Sequence, residues 1–473
     1  MSESQQFHIG LIGLGVMGRN LALNMEEKGF PVAVWNRRSE VTDGFLAEHA
    51  GKRFGGAPEL ADFINLLERP RRVLLMIKAG SPVDQVLAQL QPLLQPGDIV
   101  MDGGNSWFED TQRRESQLRD QGLHYVGVGI SGGEEGARHG PSMMPGGSQE
   151  SYAEIRSVFE AITAQTDAGA CVTHVGPDGA GHFVKMVHNG IEYADMQLLA
   201  EVYDVMRRGL GMDEPAMAEV FDAWNQGPME SFLVELTAQV LKVVDPDTGA
   251  ALVSLVMDKA GQKGTGRWTV QAALEQGVAV PGISAAVDAR ILSSLKDQRE
   301  AAAAQLGAVP GGLDVDRDSL VADLHGAIYA SRITAYAQGM ALIRSASDRY
   351  GWGVDLGEMA RIWKGGCIIR ARLLDSIRQA YAGEEPANLM LSPEISAQLQ
   401  GLQGAWRRVI QASLSAAIPL PVMSACLSYF DSYRTPRLPQ NLIQAQRDAF
   451  GAHTYERVDH PEWGFVHSDW SGD

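Results

Sequence analysis

Near the amino terminus an apolar run, F-H-I-G-L-I, leads directly into Gly13, Gly15 and Gly18 in G-x-G-x-x-G spacing, followed by a helical N-L-A-L-N-M-E-E. No other feature restricts the possible folds so strongly. Strand, glycine turn and helix start, in that order, open a βαβ unit that binds a dinucleotide. The first glycine permits the tight turn, the second lets backbone approach a pyrophosphate, and the third lets the helix pack close to the strand. The helix then offers its free N–H groups to the anion. Leu14, Val16 and Met17, between and beside the glycines, belong to the same candidate loop.

Four further runs, P-V-A-V-W, R-V-L-L-M-I, D-I-V-M-D and H-Y-V-G-V-G-I, read as buried strands separated by helix-length stretches. That alternation predicts a parallel sheet of the Rossmann type. Beyond about residue 180 strand signals nearly vanish, and long Ala/Leu/Met-rich segments of helical period take over. The expected organisation is an α/β dinucleotide-binding domain over 1–180, a large all-α domain over 181–438, and a tail over 439–473. The helical part reads as an internal duplication. Tyr193, Met217 and Trp224 find echoes in Tyr336, Met359 and Trp363, with Gly211 and Gly353 between them. The tail carries too many aromatic residues for a disordered segment and is expected to dock, on its own or a neighbouring subunit.

Strand ends mark where ligands bind in such sheets. After the second strand come Asn36, Arg37, Arg38 and Ser39, where an NAD site usually places a carboxylate for the ribose hydroxyls. Two guanidiniums and a hydroxyl suit a 2′-phosphate instead, so NADP is the expected cofactor. Ile77 ends the third run and Lys78 and Ala79 follow it, while Asn105 lies in D-G-G-N-S after the fourth. After the fifth, Ser131, Gly132 and Gly133 can present N–H donors to a carboxylate.

The stretch F-V-K-M-V-H-N-G-I-E-Y places Lys185, His188, Asn189 and Glu192 at i, i+3, i+4 and i+7 of an otherwise apolar helix. One face therefore carries an ammonium, an imidazole, an amide and a carboxylate. Charges are costly to bury without partners, so this face is expected to line a polar cavity. Farther on, Lys263 and Thr265 in G-Q-K-G-T-G, with Arg290, suit a phosphate monoester. Tail residues Arg447 and His453 add two polar groups, and no metal-ligand spacing is found.

The net charge of −18 argues against nucleic acid or an anionic membrane surface as partner, and no apolar run is long enough to span a bilayer. Three cysteines without a CxxC pair fit a reducing compartment. The first residues lack a basic stretch followed by an apolar one, so the expected location is cytoplasmic.

Taken in order, G-L-I-G-L-G-V-M-G-R-N, W-N-R, D-G-G-N-S, G-I-S-G-G-E-E-G-A-R-H-G-P-S-M-M-P-G-G, F-V-K-M-V-H-N-G-I-E-Y, G-Q-K-G-T-G and Q-R-D-A-F-G-A-H-T-Y-E resemble the decarboxylating 6-phosphogluconate dehydrogenase family over almost the whole chain. The resemblance implies oxidation of 6-phosphogluconate by NADP to ribulose 5-phosphate, carbon dioxide and NADPH, a step of the oxidative pentose phosphate pathway. It implies that Lys185 is the general base and Glu192 the acid. Substrate contacts fall at Asn105, Ser131, Gly132, Gly133, His188 and Asn189. The phosphate site comprises Tyr193, Lys263, Thr265 and Arg290. Arg447 and His453 would reach it from the tail of the other subunit in a homodimer. Departures from the family pattern are Arg38, Arg267 and Ala449, where a threonine, a lysine and an aromatic residue are common. The nearest alternative is an NADP-dependent β-hydroxyacid dehydrogenase that does not decarboxylate, a generally shorter chain without the second helical half.

Overall fold

The computed structural model describes residues 6–307 and 311–471. Seven strands form one sheet: β1 (Ile9–Ile12), β2 (Val32–Trp35), β3 (Phe54–Gly56), β4 (Arg72–Leu75), β5 (Ile99–Asp102), β6 (His124–Ser131) and β7 (Ser142–Pro145). Their spatial order is β3-β2-β1-β4-β5-β6-β7. All pairs are parallel except β6–β7. The chain crosses from β1 outward to β2 and β3, then returns to place β4 on the other side of β1. A crevice opens at that reversal, at the carboxyl ends of β1 and β4.

Both faces of the sheet are covered, which is why its inner strands read as unbroken apolar runs. Leu11, Val34, Leu74, Met101 and Val128 pack on one side, and Ile12, Ala33, Leu75, Val100 and Tyr125 on the other.

Two strands depart from the sequence reading. β3, F-G-G, lacks any apolar run, yet Phe54 and its two glycines pair with Val32–Val34. β7 lies in P-S-M-M-P-G-G, read from sequence as a Gly-rich loop, and adds an antiparallel edge to a sheet expected to be all parallel. Its terminal Pro145 is tolerable because the strand is at an edge.

From Ala180 the chain is helical, beginning with a 25-residue helix to Asp204 that continues into one wider turn, Val205–Gly209. Apart from the short helix Leu252–Leu255 and the helix Lys296–Leu306, the helices from Ala180 to Tyr433 fall into two series of similar order. Helices Ala180–Asp204, Glu214–Trp224, Phe232–Lys242, Thr265–Gln276 and Pro281–Ser294 are followed by Arg317–Tyr350, Leu356–Ile362, Leu373–Ala380, Pro393–Ser415 and Pro421–Tyr433. The two series clasp each other at equivalent places: Phe232 N donates to Arg370 O at 3.0 Å, and Arg372 N to Glu230 O at 2.9 Å.

The chain divides into two compact units after Cys426. In the second, the helix Gln440–Gly451 is joined to a small antiparallel ribbon, Tyr455–Glu456 with Phe465–Val466. The fully buried Asp448 carboxylate is the joint. It accepts from Thr454 N at 2.8 Å, His467 Nδ1 at 3.0 Å, Ser468 N at 3.1 Å and Trp470 Nε1 at 2.8 Å. Burial opposes the charge, but these four donors hold the carboxyl below the usual range. The ribbon is strand structure in a part of the chain expected to lack it.

Candidate active site

The glycine loop sits at the crevice beside β1. Gly13 has φ +104°, and a Cβ there would lie 2.5 Å from Met76 O. A Cβ on Gly18 would collide with the Gly13 carbonyl, whereas one on Gly15 would meet nothing within 4 Å. Two glycines are thus needed for packing, and the third faces open space, as a close-approaching pyrophosphate requires. The helix Val16–Glu27 begins there with no side-chain cap, leaving its first N–H groups available. Asn36 Oδ1 accepts from Leu14 N at 3.3 Å, tying the turn after β2 to this loop. Arg37 and Arg38 are exposed with no carboxylate partner among the described residues, and Ser39 starts the next helix. Lys78 is exposed between half-buried Ile77 and Ala79 at the end of β4, and Asn105 is exposed beyond β5. These residues have the chemistry to hold NADP, with the glycine loop and helix start suited to its pyrophosphate and the two guanidiniums to its 2′-phosphate.

The helix Ala180–Asp204 crosses below this edge with its polar face assembled. Lys185 and His188 are buried, Asn189 is nearly so, and Glu192 retains 20% of its side-chain surface. Lys185 Nζ lies 3.4 Å from His188 Nδ1, which is 3.1 Å from Asn189 Oδ1 and 3.9 Å from Glu192 Oε2. Ser131 Oγ lies 3.3 Å from His188 Nε2, and Asn189 Nδ2 donates to Thr265 Oγ1 at 3.1 Å. With Nδ1–H donating to Asn189, Nε2 can accept from the serine hydroxyl, so one neutral tautomer satisfies the ring.

Burial dominates the electrostatics. It pulls the Lys185 ammonium down to about 8, with the Glu192 charge opposing. It pushes the Glu192 carboxyl above its usual range despite Lys185 and Arg290 nearby. It holds His188 well below the ordinary imidazole value, helped by the Lys185 charge, so that ring is neutral. The result is a base poised near neutrality and an acid that keeps its proton longer than usual, on one face.

Ser131 ends β6, and Gly132 turns the chain with φ +114° into the short helix Gly133–His139. Beyond Glu192, the Arg290 guanidinium lies 3.4 Å from the centre of the Tyr193 ring, and Nη1 donates to Gly261 O at 3.2 Å. Gly261 belongs to the same exposed loop as Lys263, and Thr265 begins the following helix. The site helix and these elements therefore bring together Ser131, Gly132, Gly133, Lys185, His188, Asn189, Glu192, Tyr193, Thr265 and Arg290, with Lys263 at the rim. Arg447 and His453 lie in the second compact unit, where Arg447 donates to Gln444 Oε1 at 3.0 Å.

The sequence reading missed part of the wall. Trp363, treated there only as an echo of Trp224, sets its ring edge-on to His188 at 5.5 Å. Its neighbour Gly366 accepts from Ser142 N at 2.7 Å and packs against Gly132. The run W-K-G-G-C, two glycines after an aromatic, was the available signal. Among the described residues no group of three or more His, Cys, Asp or Glu could hold a metal ion. No helix among them is long and apolar enough to cross a membrane.

The chain is similar to known proteins over almost its whole length. Residues 8–176 match the NAD binding domain of 6-phosphogluconate dehydrogenase, and residues 181–470 its C-terminal domain. The chain belongs to the 6-phosphogluconate dehydrogenase family. A relative from Synechococcus elongatus, a decarboxylating 6-phosphogluconate dehydrogenase, is 55% identical over 98% of this chain and 99% of its own. A chloroplastic family member from Spinacia oleracea is 51% identical over 100% of this chain and 89% of its own. The solved Plasmodium falciparum family enzyme, studied in its apo form and with NADP+ and 6-phosphogluconate, superposes with a TM-score of 0.94. It is 41% identical over 98% of this chain and 100% of that one.

Proposed function

We propose that this chain catalyses the oxidative decarboxylation of 6-phospho-D-gluconate with NADP, giving D-ribulose 5-phosphate, carbon dioxide and NADPH. The observation that carries the reading is the placing of Lys185 and Glu192 on one largely buried helix face around His188, where burial lowers the ammonium and raises the carboxyl. NADP, when bound, takes up the hydride from C3. Neutral Lys185 removes the C3 hydroxyl proton as that hydride leaves, and the product is a β-keto acid. The lysine, now an ammonium, stabilises negative charge growing on the keto oxygen as the C1–C2 bond breaks and carbon dioxide departs. Glu192 gives its proton to the enediol carbon that lost the carboxylate, C2 of 6-phosphogluconate and C1 of ribulose 5-phosphate.

On this reading Ser131, Gly132 and Gly133 orient the substrate carboxylate, and Asn105, His188 and Asn189 its hydroxyls. Tyr193, Lys263, Thr265 and Arg290 hold the phosphate. Arg37, Arg38 and Ser39 hold the 2′-phosphate of the cofactor, whose remaining contacts come from residues 13–18, Asn36, Ile77, Lys78, Ala79 and Asn105. Residues 1–180 would carry the cofactor, 181–438 the substrate and the dimer contact, and 439–473 a tail bringing Arg447 and His453 to the other subunit of a cytoplasmic homodimer. Supplying purified protein with 6-phosphogluconate and NADP is expected to release NADPH and carbon dioxide in equal amounts. NADPH without carbon dioxide would instead identify a simple β-hydroxyacid dehydrogenase.

A further inference from the structure

One turn before Lys185, on the same helix face, stands His182, which is 2% exposed and has no place in the acid–base chemistry. Its Nε2 donates to the backbone carbonyl of Asp102 at 3.0 Å, and its Nδ1 accepts from Thr111 Oγ1 at 2.6 Å. A carbonyl can only accept, so the partners fix the tautomer. Burial keeps this ring below the ordinary imidazole range and therefore neutral.

Asp102 is the last residue of β5, and its fully buried carboxylate organises the loop that follows. Oδ1 accepts from Gly104 N at 3.0 Å, while Oδ2 accepts from Ser106 Oγ at 2.6 Å and Tyr125 OH at 3.0 Å. Asn105, itself exposed, stands between Gly104 and Ser106 in the chain. The loop is thus held by contacts of its own, and the hydrogen bond from His182 to Asp102 O joins it to the helix.

The strand beneath is shaped for this joint. Gly127 and Gly129 alternate along β6 and so point to one face. A Cβ at Gly127 would lie 2.7 Å from His182 Nδ1, and one at Gly129 would collide with Lys185 Cβ. Two absent side chains let the helix settle onto β6 at the two positions that bear His182 and Lys185.

We infer that His182 is a positioning residue, which sets the distance between the loop carrying Asn105 and the helix carrying Lys185, and thereby aligns the reacting C3 with the nicotinamide. The inference rests on the proposed function for its substrate. Hydride transfer needs reacting atoms held in near-contact, and a displacement of about 1 Å costs about a hundredfold in rate.

His182→Leu removes the donor, whereas His182→Gln retains an amide N–H near the place of Nε2. The first is expected to lower kcat about tenfold or more, with NADP affinity and the KM for 6-phosphogluconate little changed. It should also raise the isotope effect on kcat for substrate deuterated at C3, because hydride transfer becomes the slow step. His182→Gln should recover most of both values. A lowered Tm with unchanged kcat and isotope effect would mean that the ring only packs, and would overturn the inference. If His182→Leu fails to fold, Thr111→Val loosens the same tautomer and is expected to lower kcat several-fold with the same isotope signature; no change in either overturns it. If the wild-type chain does not turn over 6-phosphogluconate, the substrate reading is at fault. The joint is then judged by amide hydrogen exchange with NADP bound: faster exchange over 103–107 in His182→Leu supports it, and unchanged exchange refutes it.

Discussion

The two long helices of the helical half, Ala180–Asp204 and Arg317–Tyr350, are packed against each other and both bury polar side chains, yet the proposed chemistry belongs to only one of them. In the second, the buried polar side chains are mostly engaged by the fold itself, with Arg332 Nη2 lacking a hydrogen bond. Ser331 and Thr334 donate to the carbonyls one turn back, Tyr336 OH to Ile369 O, and Gln338 Oε1 accepts from Gly282 N. Arg332 Nε donates to Asp195 at 2.8 Å, an ion pair with both partners buried. In the first helix, Lys185 has only a 3.4 Å contact to a neutral imidazole, and Glu192 is 3.9 Å from the same ring. Buried polarity by itself is therefore no sign of an active site. What sets the first helix apart is an ammonium and a carboxylate on one face with no close ion-pair partner.

Substituting one cation from each helix tests that contrast most sharply. Lys185→Met is expected to cut kcat about a thousandfold or more while leaving Tm unchanged or raised, since a desolvated ammonium is removed. Equal loss of stability and activity would break the comparison. Arg332→Met should do the reverse, costing about 3–5 kcal/mol because Asp195 is left charged and unpaired. Denaturant unfolding reads that loss, Asp195→Asn in the same chain should recover part of it, and folded protein should retain its turnover number.

Glu192→Gln keeps the shape of the acid without its proton and is expected to slow product formation about a hundredfold. The test is whether carbon dioxide release outpaces ribulose 5-phosphate formation. The pH profile gives a smaller but cleaner signal. Below about 8 Lys185 holds its proton and cannot act as base, so kcat/KM should climb about tenfold per pH unit and level off near 8. The folded state releases that proton at a lower pH than the unfolded chain, so stability relative to Lys185→Met should rise as pH increases from 8. The smallest effect concerns the cofactor: Arg38→Ala is expected to weaken NADP binding by about tenfold and leave NAD binding unchanged, by fluorescence titration.

The sequence made the inner strands and the acid–base face legible because each is a local pattern, an apolar run or a helical spacing. β3 and β7 escaped because their residues, F-G-G and S-M-M-P, gain strand character only from neighbours distant in the chain. Trp363 and Gly366 escaped for a similar reason, since the fold brings a segment far downstream in the chain against His188 and Gly132. His182 was within reach. Extending the face of Lys185 back by three residues finds it, and the alternating glycines of β6 mark the strand that receives it.

The Asp448 carboxylate has a consequence for the tail. Four donors spread over residues 454–470 converge on one buried group, so the helix and ribbon of that segment are ordered by their own contacts. A loose terminus must surrender chain entropy when it docks, and that loss is subtracted from its affinity. This one has surrendered most of it during folding. On the proposed reading, Arg447 and His453 reach the neighbouring subunit as parts of a preformed plug, held at a fixed separation before any substrate is present.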